Sequence, residues 1–235
     1  MLSNIWLALL ATFTLSLLWL RLMDFAALRG WISSALSRKI IHIGTGPLFV
    51  LCWLLFPEHP AARYLAALVP LMITAQFFLV GTGILKDPAA VQALSRTGDR
   101  REILRGPLIY GVLFVLLTIV YWKDSPIGLI GLMVMCGGDG LADVVGRRLK
   151  SVRIPWNPSK SAAGTLAMFL GGFIFSALIL GIFIAAGVFP IPFSASLLPL
   201  ALISLAATLV ESLPLRDIDN FTTTLTAVIL GHFFF

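Results

Sequence analysis

The run Gly164–Gly187, GTLAMFLGGFIFSALILGIFIAAG, carries no charged residue in 24 positions. A helix needs roughly 20 mainly apolar residues to cross about 30 Å of hydrocarbon, and only a helix or a closed barrel satisfies its own backbone there. Working outward from this run, seven more stretches approach the same length: Asn4–Leu22, Ile40–Phe56, Tyr64–Leu85, Leu108–Trp122, Ile127–Val145, Leu197–Val210 and Phe221–Phe235. The chain has 235 residues, 59% hydrophobic and 12% charged, with mean hydropathy +0.98, whereas soluble domains carry about 25% charged residues. A water-soluble globule is excluded. The pattern predicts an all-α polytopic transmembrane helix bundle of about seven to eight spans, forming one integral membrane domain over residues 1–235.

Connections between the spans are short and punctuated by Pro57, Pro60, Pro88, Pro155, Pro158, Pro190 and Pro192, as turn signals. The net charge of +6 has no soluble basic module to support nucleic-acid binding. Cys52 and Cys136 lie inside apolar runs, too few for a disulfide framework and wrongly spaced for zinc, and are expected to pack as small hydrophobes. The first span has no Lys or Arg ahead of it and no small-residue cleavage site after it, so it reads as a retained span rather than a secretory signal. Trp19, Trp53, Trp122 and Trp156 fall near span ends and are expected to anchor at the interface.

Lys and Arg accumulate in cytoplasmic connections. Alternate connections hold Arg21, Arg29, Arg38 and Lys39, then Lys86, Arg96, Arg100, Arg101 and Arg105, then Arg147, Arg148, Lys150, Arg153 and Lys160, and last Arg216. The opposite connections hold Arg63 and Lys123 alone. This predicts an even number of crossings, with both termini away from the cytoplasm.

Charges inside a span cost about 2.5 to 3.5 kcal/mol on insertion scales, so each needs a reason. Asp139 and Asp143 follow an apolar run within Gly137-Gly138-Asp139-Gly140-Leu141-Ala142-Asp143. Their i, i+4 spacing puts both carboxylates on one helix face. Magnesium takes such oxygen ligands, typically one or two carboxylates together with substrate phosphates. A basic loop follows, Arg147 to Lys160 with Trp156 and Asn157 inside it, suited to phosphate oxygens; alternatively, its charges only fix topology and meet anionic lipid. His42 stands one helical turn after Arg38, placed to bind phosphate or to take a proton from an alcohol; alternatively, it is a satisfied interfacial residue, the commoner role of a lone histidine at a helix start. Glu211 closes an apolar run and is expected to point into the bundle, whereas Asp217, Asp219 and Asn220 read equally as a solvated turn. Asp99–Arg105 has both signs at helical spacing, as a solvated interfacial face would.

Several blocks carry a family resemblance: Arg38-Lys39-Ile40-Ile41-His42, Ser95-Arg96-Thr97-Gly98-Asp99-Arg100-Arg101-Glu102, Cys136 to Arg147, Ile154 to Gly164, and Val210-Glu211-Ser212-Leu213-Pro214. Together, in this order, they resemble the signature blocks of the phytol kinase family, and single blocks are shared more loosely with dolichol kinases and phosphatidate cytidylyltransferases. Ser159-Lys160-Ser161 departs from the dolichol kinase pattern, which argues against a dolichol-sized substrate.

The resemblance implies an integral membrane kinase that transfers phosphate from CTP, with UTP as an alternative donor, to phytol or a related isoprenoid alcohol. It implies a place in tocopherol or phylloquinone synthesis. Asp139 and Asp143 then serve as magnesium ligands, and Arg147, Lys150 and Lys160 bind phosphate. His42 activates the alcohol, and Asn157 with Trp156 holds the base or triphosphate. Lys39, Gly164, Glu211 and Asn220 complete the nucleotide- and phosphate-binding set. The competing readings are a cytidylyltransferase acting on a lipid phosphate and a membrane transporter. The localisation expected is a multi-pass plasma or thylakoid membrane protein with its site on the cytoplasmic face.

Overall fold

The computed structural model describes residues 1–95, 97–214 and 218–235. Arg96 and Arg216, counted above among the basic residues, and Asp217, counted among the acids, lie outside them. The helices are α1 (Ile5–Leu28), α2 (Ser34–Cys52), α3 (Ala62–Thr82), α4 (Pro88–Leu94), α5 (Gly106–Val120), α6 (Ile127–Met133), α7 (Gly140–Arg148), α8 (Ala162–Ala185), α9 (Phe193–Glu211) and α10 (Asp219–Phe234). Two short antiparallel strands, β1 (Arg153–Ile154) and β2 (Asn157–Ser161), form a hairpin before α8.

Among the described residues, seven helical segments are long and apolar enough to cross a membrane. They match the first seven expected spans. The eighth expected span is α10, shorter at 16 residues, or about 24 Å at 1.5 Å per residue. It packs against α9 and α6. Many large apolar side chains point outward, among them Leu10, Leu18, Met72, Leu116, Leu178 and Leu198; only a lipid solvent accommodates such a surface without penalty.

Local signals set the helix starts. Asn4 accepts the Trp6 amide at 2.8 Å, Ser33 caps α2 through the Leu36 amide at 3.2 Å, and Ser161 caps α8 through the Gly164 amide at 3.2 Å. Each side-chain oxygen satisfies an amide that has no partner within its helix. The seventh span begins earlier than expected, at Phe193 rather than Leu197, because Pro192 precedes the helix instead of breaking it. Pro47, Pro70 and Pro199 lie inside helices, as membrane helices tolerate when neighbours re-satisfy the freed backbone groups.

The fifth span is the centre of the bundle. Every residue from 126 to 138 is buried, and a helix apolar on all sides belongs in the middle. Between α6 and α7, Val134–Asp139 form a π-helical turn, a rare feature often found at functional sites. Glycines let its neighbours approach closely. A Cβ on Gly46 of α2 would lie 2.4 Å from Cys136 Sγ, and one on Gly171 of α8 would lie 2.4 Å from the Gly137 carbonyl oxygen.

Two tryptophans depart from the interfacial role expected of them. Trp53 and Trp122 are buried, with ring centroids 5.1 Å apart and Phe56 and Phe183 beside them. Trp122 adopts φ +41°, a left-handed turn at the end of α5 that carries its indole inward. The expected loop from Arg147 to Lys160 is also more ordered than its prolines suggested. Arg147 and Arg148 end α7, Pro155 and Trp156 make a two-residue turn, and the strands pair Arg153 with Ser161 and Ile154 with Asn157.

Candidate active site

The start of α2, the end of α7, the hairpin, the end of α9 and the start of α10 all gather at one end of the bundle. The π turn and α7 present Asp139 and Asp143 one helical turn apart. Lys39 and His42, on successive turns of α2, each meet one of them. Lys39 Nζ forms an ion pair with Asp143, whose other oxygen receives Arg147 Nε at 2.6 Å. His42 Nε2 lies 3.5 Å from Asp139 Oδ2. Among the described residues that imidazole nitrogen is buried without a hydrogen-bond partner, so it is available to a third group.

The second half of the site comes from the hairpin and α9. Glu211 is 3% exposed and points into the bundle as expected, where it pairs with Lys160 Nζ. Burial presses the Lys160 ammonium toward its neutral form. The Glu211 carboxylate, by charge and hydrogen bond, and Asp139 beyond it outweigh that effect and hold Lys160 above the usual lysine range. Lys160 therefore stays a cation at physiological pH. Glu211 Oε2 and Asn220 Oδ1 are both buried acceptors without a partner among the described residues. Asn220 is buried, not part of a solvated turn; its backbone N–H donates to Asp219 Oδ1 at 3.2 Å.

Asn157 is a clamp in this structure. Its Nδ2 donates to the Ser212 and Leu213 carbonyls, each at 3.2 Å, and its Oδ1 accepts from Ser159 Oγ at 2.5 Å. Trp156 Nε1 adds a bond to Ser212 Oγ at 3.1 Å. These contacts fasten the hairpin to the end of α9 and thereby set Lys160 against Glu211. Gly164 sits where α7 crosses α8: a Cβ there would lie 3.1 Å from the Ala142 carbonyl oxygen and 3.2 Å from Gly146 Cα. Lys150 is exposed at the rim, and Arg147 is 66% exposed while holding Asp143.

The sequence reading missed two features here. One is Tyr110 on α5, whose phenol donates to the His42 carbonyl oxygen at 2.9 Å. The other is the hairpin, whose turn is signalled by Pro155-Trp156 in hindsight, but only weakly. The block Ser95–Glu102 is tied to the site through α2, because Arg38 Nη1 donates to the Ser95 carbonyl oxygen at 3.1 Å.

Magnesium fits this donor set. Asp139 and Asp143 offer hard oxygen ligands on one face, and the group nearest the Asp139 carboxylate, His42 Nε2, stands 3.5 Å from Oδ2. Among those residues no group of three or more His, Cys, Asp or Glu side chains would hold a metal by itself. The rest of a magnesium shell would come from phosphate oxygens and water, as is usual for this ion.

Comparison with known proteins gives one consistent result. The chain is 39% identical over 217 residues to a probable chloroplastic phytol kinase of Triticum aestivum, spanning 92% of this chain and 72% of that one. It is 40% identical to probable phytol kinase 1, chloroplastic, of Oryza sativa subsp. japonica, over 92% of this chain and 69% of the relative. It is 39% identical to phytol kinase 1, chloroplastic, of Arabidopsis thaliana, over 88% of this chain and 69% of the relative. No protein-family profile matches the chain, and no solved structure matches it.

Proposed function

This chain belongs to the phytol kinase family, and we propose that it transfers the terminal phosphoryl group of CTP, or less readily UTP, to the hydroxyl of phytol or a related isoprenoid alcohol. It is a membrane enzyme that phosphorylates an alcohol; the donor, the membrane face and the metabolic setting are our reading. The preferred acceptors are isoprenoid alcohols of about C15 to C20, because each buried CH₂ contributes about 0.8 kcal/mol and a long apolar chain partitions into the bilayer. The product, phytyl phosphate, suits tocopherol or phylloquinone synthesis.

The observation that carries this reading is the gathering of Lys39, His42, Asp139, Asp143, Lys160 and Glu211 from four separate segments at one end of an apolar bundle. A lipid alcohol and a water-soluble triphosphate can meet only at such an end. Asp139 and Asp143 would hold magnesium, which neutralises charge on the phosphates when bound. Lys39 and Arg147 share Asp143, and with Lys160 and the rim residue Lys150 they line the path of a polyphosphate. Phosphoryl transfer depends mostly on positioning and charge neutralisation. His42 Nε2 accepts the hydroxyl proton as the alcohol oxygen bonds to the γ-phosphorus. The bond from that phosphorus to the bridging oxygen breaks, and CDP leaves.

Purified protein incubated with CTP and phytol should release CDP and phytyl phosphate in equal amounts. Release of pyrophosphate without CDP would mean cytidylyl transfer and would overturn the reading.

A further inference from the structure

Tyr110 lies outside the chemistry proposed above, yet it joins the three helical segments that meet at Asp139. Its hydroxyl donates to the His42 carbonyl oxygen at 2.9 Å and sits 3.2 Å from Cys136 Sγ. A phenol carries one proton and a carbonyl can only accept, so the Cys136 thiol is the donor in the second contact. The bonds run from Cys136 S–H to the Tyr110 oxygen, and from Tyr110 O–H to the His42 carbonyl. They cross from the π turn to α5 and on to α2. Cys136 precedes Asp139 by three residues in the same π turn.

The ring adds a second constraint. Its centroid lies 4.6 Å from that of the His42 imidazole, with the planes tilted by 35°, and Phe114 supports it at 4.7 Å. The same side chain thus fixes the backbone of His42 and one face of its imidazole, while Nε2 lies 3.5 Å from Asp139 Oδ2. Tyr110 is a poor candidate for the base itself, since its proton is committed to a carbonyl and its hydroxyl is enclosed by α2 and the π turn.

We propose that Tyr110 is a positioning residue for phosphoryl transfer, holding the His42 imidazole at the acid pair so that Nε2 faces the incoming hydroxyl. This rests on the reading above that His42 receives the alcohol's proton. Geometry of this kind acts on turnover rather than on binding, because the Tyr110 hydroxyl is committed to the His42 carbonyl and Cys136.

The test is a double-mutant cycle on the full-length protein in detergent, assayed with CTP and phytol. Tyr110→Phe keeps the ring and removes the hydroxyl; it should lower kcat about 2- to 10-fold, the scale of one lost hydrogen bond. The KM values for CTP and phytol should stay within about twofold, which also shows that the variant is folded. His42→Gln should lower kcat by about 100-fold, the usual scale of a lost proton acceptor. Adding Tyr110→Phe to His42→Gln should then change kcat by less than about twofold, since a residue that acts through His42 has nothing left to position. Unchanged kcat in Tyr110→Phe overturns the proposal, as does an equal loss with and without His42, which would mark a purely structural role. Near-normal turnover in His42→Gln would instead sink the proton-transfer reading itself, and the positioning role with it.

Discussion

Asp139 and Asp143 differ in their surroundings, and that difference makes their replacement informative. Asp143 is held by Lys39 and Arg147, whereas the partner of Asp139 is the more distant His42, at 3.5 Å. Asn at either position keeps size and removes one charge. If both acids hold magnesium against the triphosphate, each change should lower kcat on the order of 100-fold or more, because charge stabilisation is the main contribution to this chemistry. Insertion should be unharmed, since an amide costs less than a carboxylate in the membrane. The check is turnover at matched protein levels across a magnesium titration. Near-normal rates in both variants would remove the acid pair from the catalytic centre. The pair was legible in the sequence because carboxylates four residues apart inside an apolar run need a partner, and Glu211 was legible for the same reason. Tyr110 was not, since one phenol within an apolar helix carries no periodic signal and its partners, His42 and Cys136, are 68 and 26 residues away. The clamp made by Asn157 was hidden in the same way, because its two acceptors are backbone carbonyls more than 50 residues downstream.

The element that decides the site's shape is the π turn, and its fit against α8 gives a sharp contrast between adjacent glycines. A Cβ on Gly171 would come 2.4 Å from the Gly137 carbonyl oxygen, a backbone atom that cannot swing aside, while one on Gly172 would meet Ser204 Oγ at 3.4 Å, an ordinary contact. Gly171→Ala should therefore destabilise the protein by about 1 to 3 kcal/mol, as overpacking does, and should lower activity by displacing the turn that carries Asp139. Gly172→Ala should fold and turn over like the parent, helped slightly by the better helix propensity of alanine. Thermal unfolding in detergent with a parallel kinase assay checks both; equal behaviour of the two variants would refute the close fit. Spans were readable because lipid imposes length and apolarity on each one independently of its neighbours. The π turn was not readable, since its extra residue is specified by packing against Gly46 and Gly171 rather than by its own composition. The hairpin also escaped notice, because β1 has two residues and its stability comes from the clamp on α9.

At the scale of the whole molecule, the two ends of the bundle carry opposite electrostatic characters. At the far end, Arg63 pairs with Asp124 at 2.5 Å and Lys123 with Glu58 at 3.1 Å, so these two basic residues are matched by acids. Among the described residues, the site end carries further Lys and Arg residues, and several, including Arg148 and Lys150, project into solvent. Basic residues near span ends resist translocation regardless of nearby acids, so we expect the site end in the cytoplasm and His59 on the opposite side. Single cysteines introduced at Ser151 and at His59 test this in a chain whose buried Cys52 and Cys136 have been replaced by Ala or Ser. A membrane-impermeant thiol reagent added to intact cells should label the His59 position and spare the Ser151 position; permeabilising the cells should expose Ser151, since it lies in the exposed segment between α7 and β1. Labelling of Ser151 in intact cells would invert the molecule. CTP from the cytoplasm could then not reach Asp139 and Lys160, and the proposed donor would fall even if the alcohol acceptor stood.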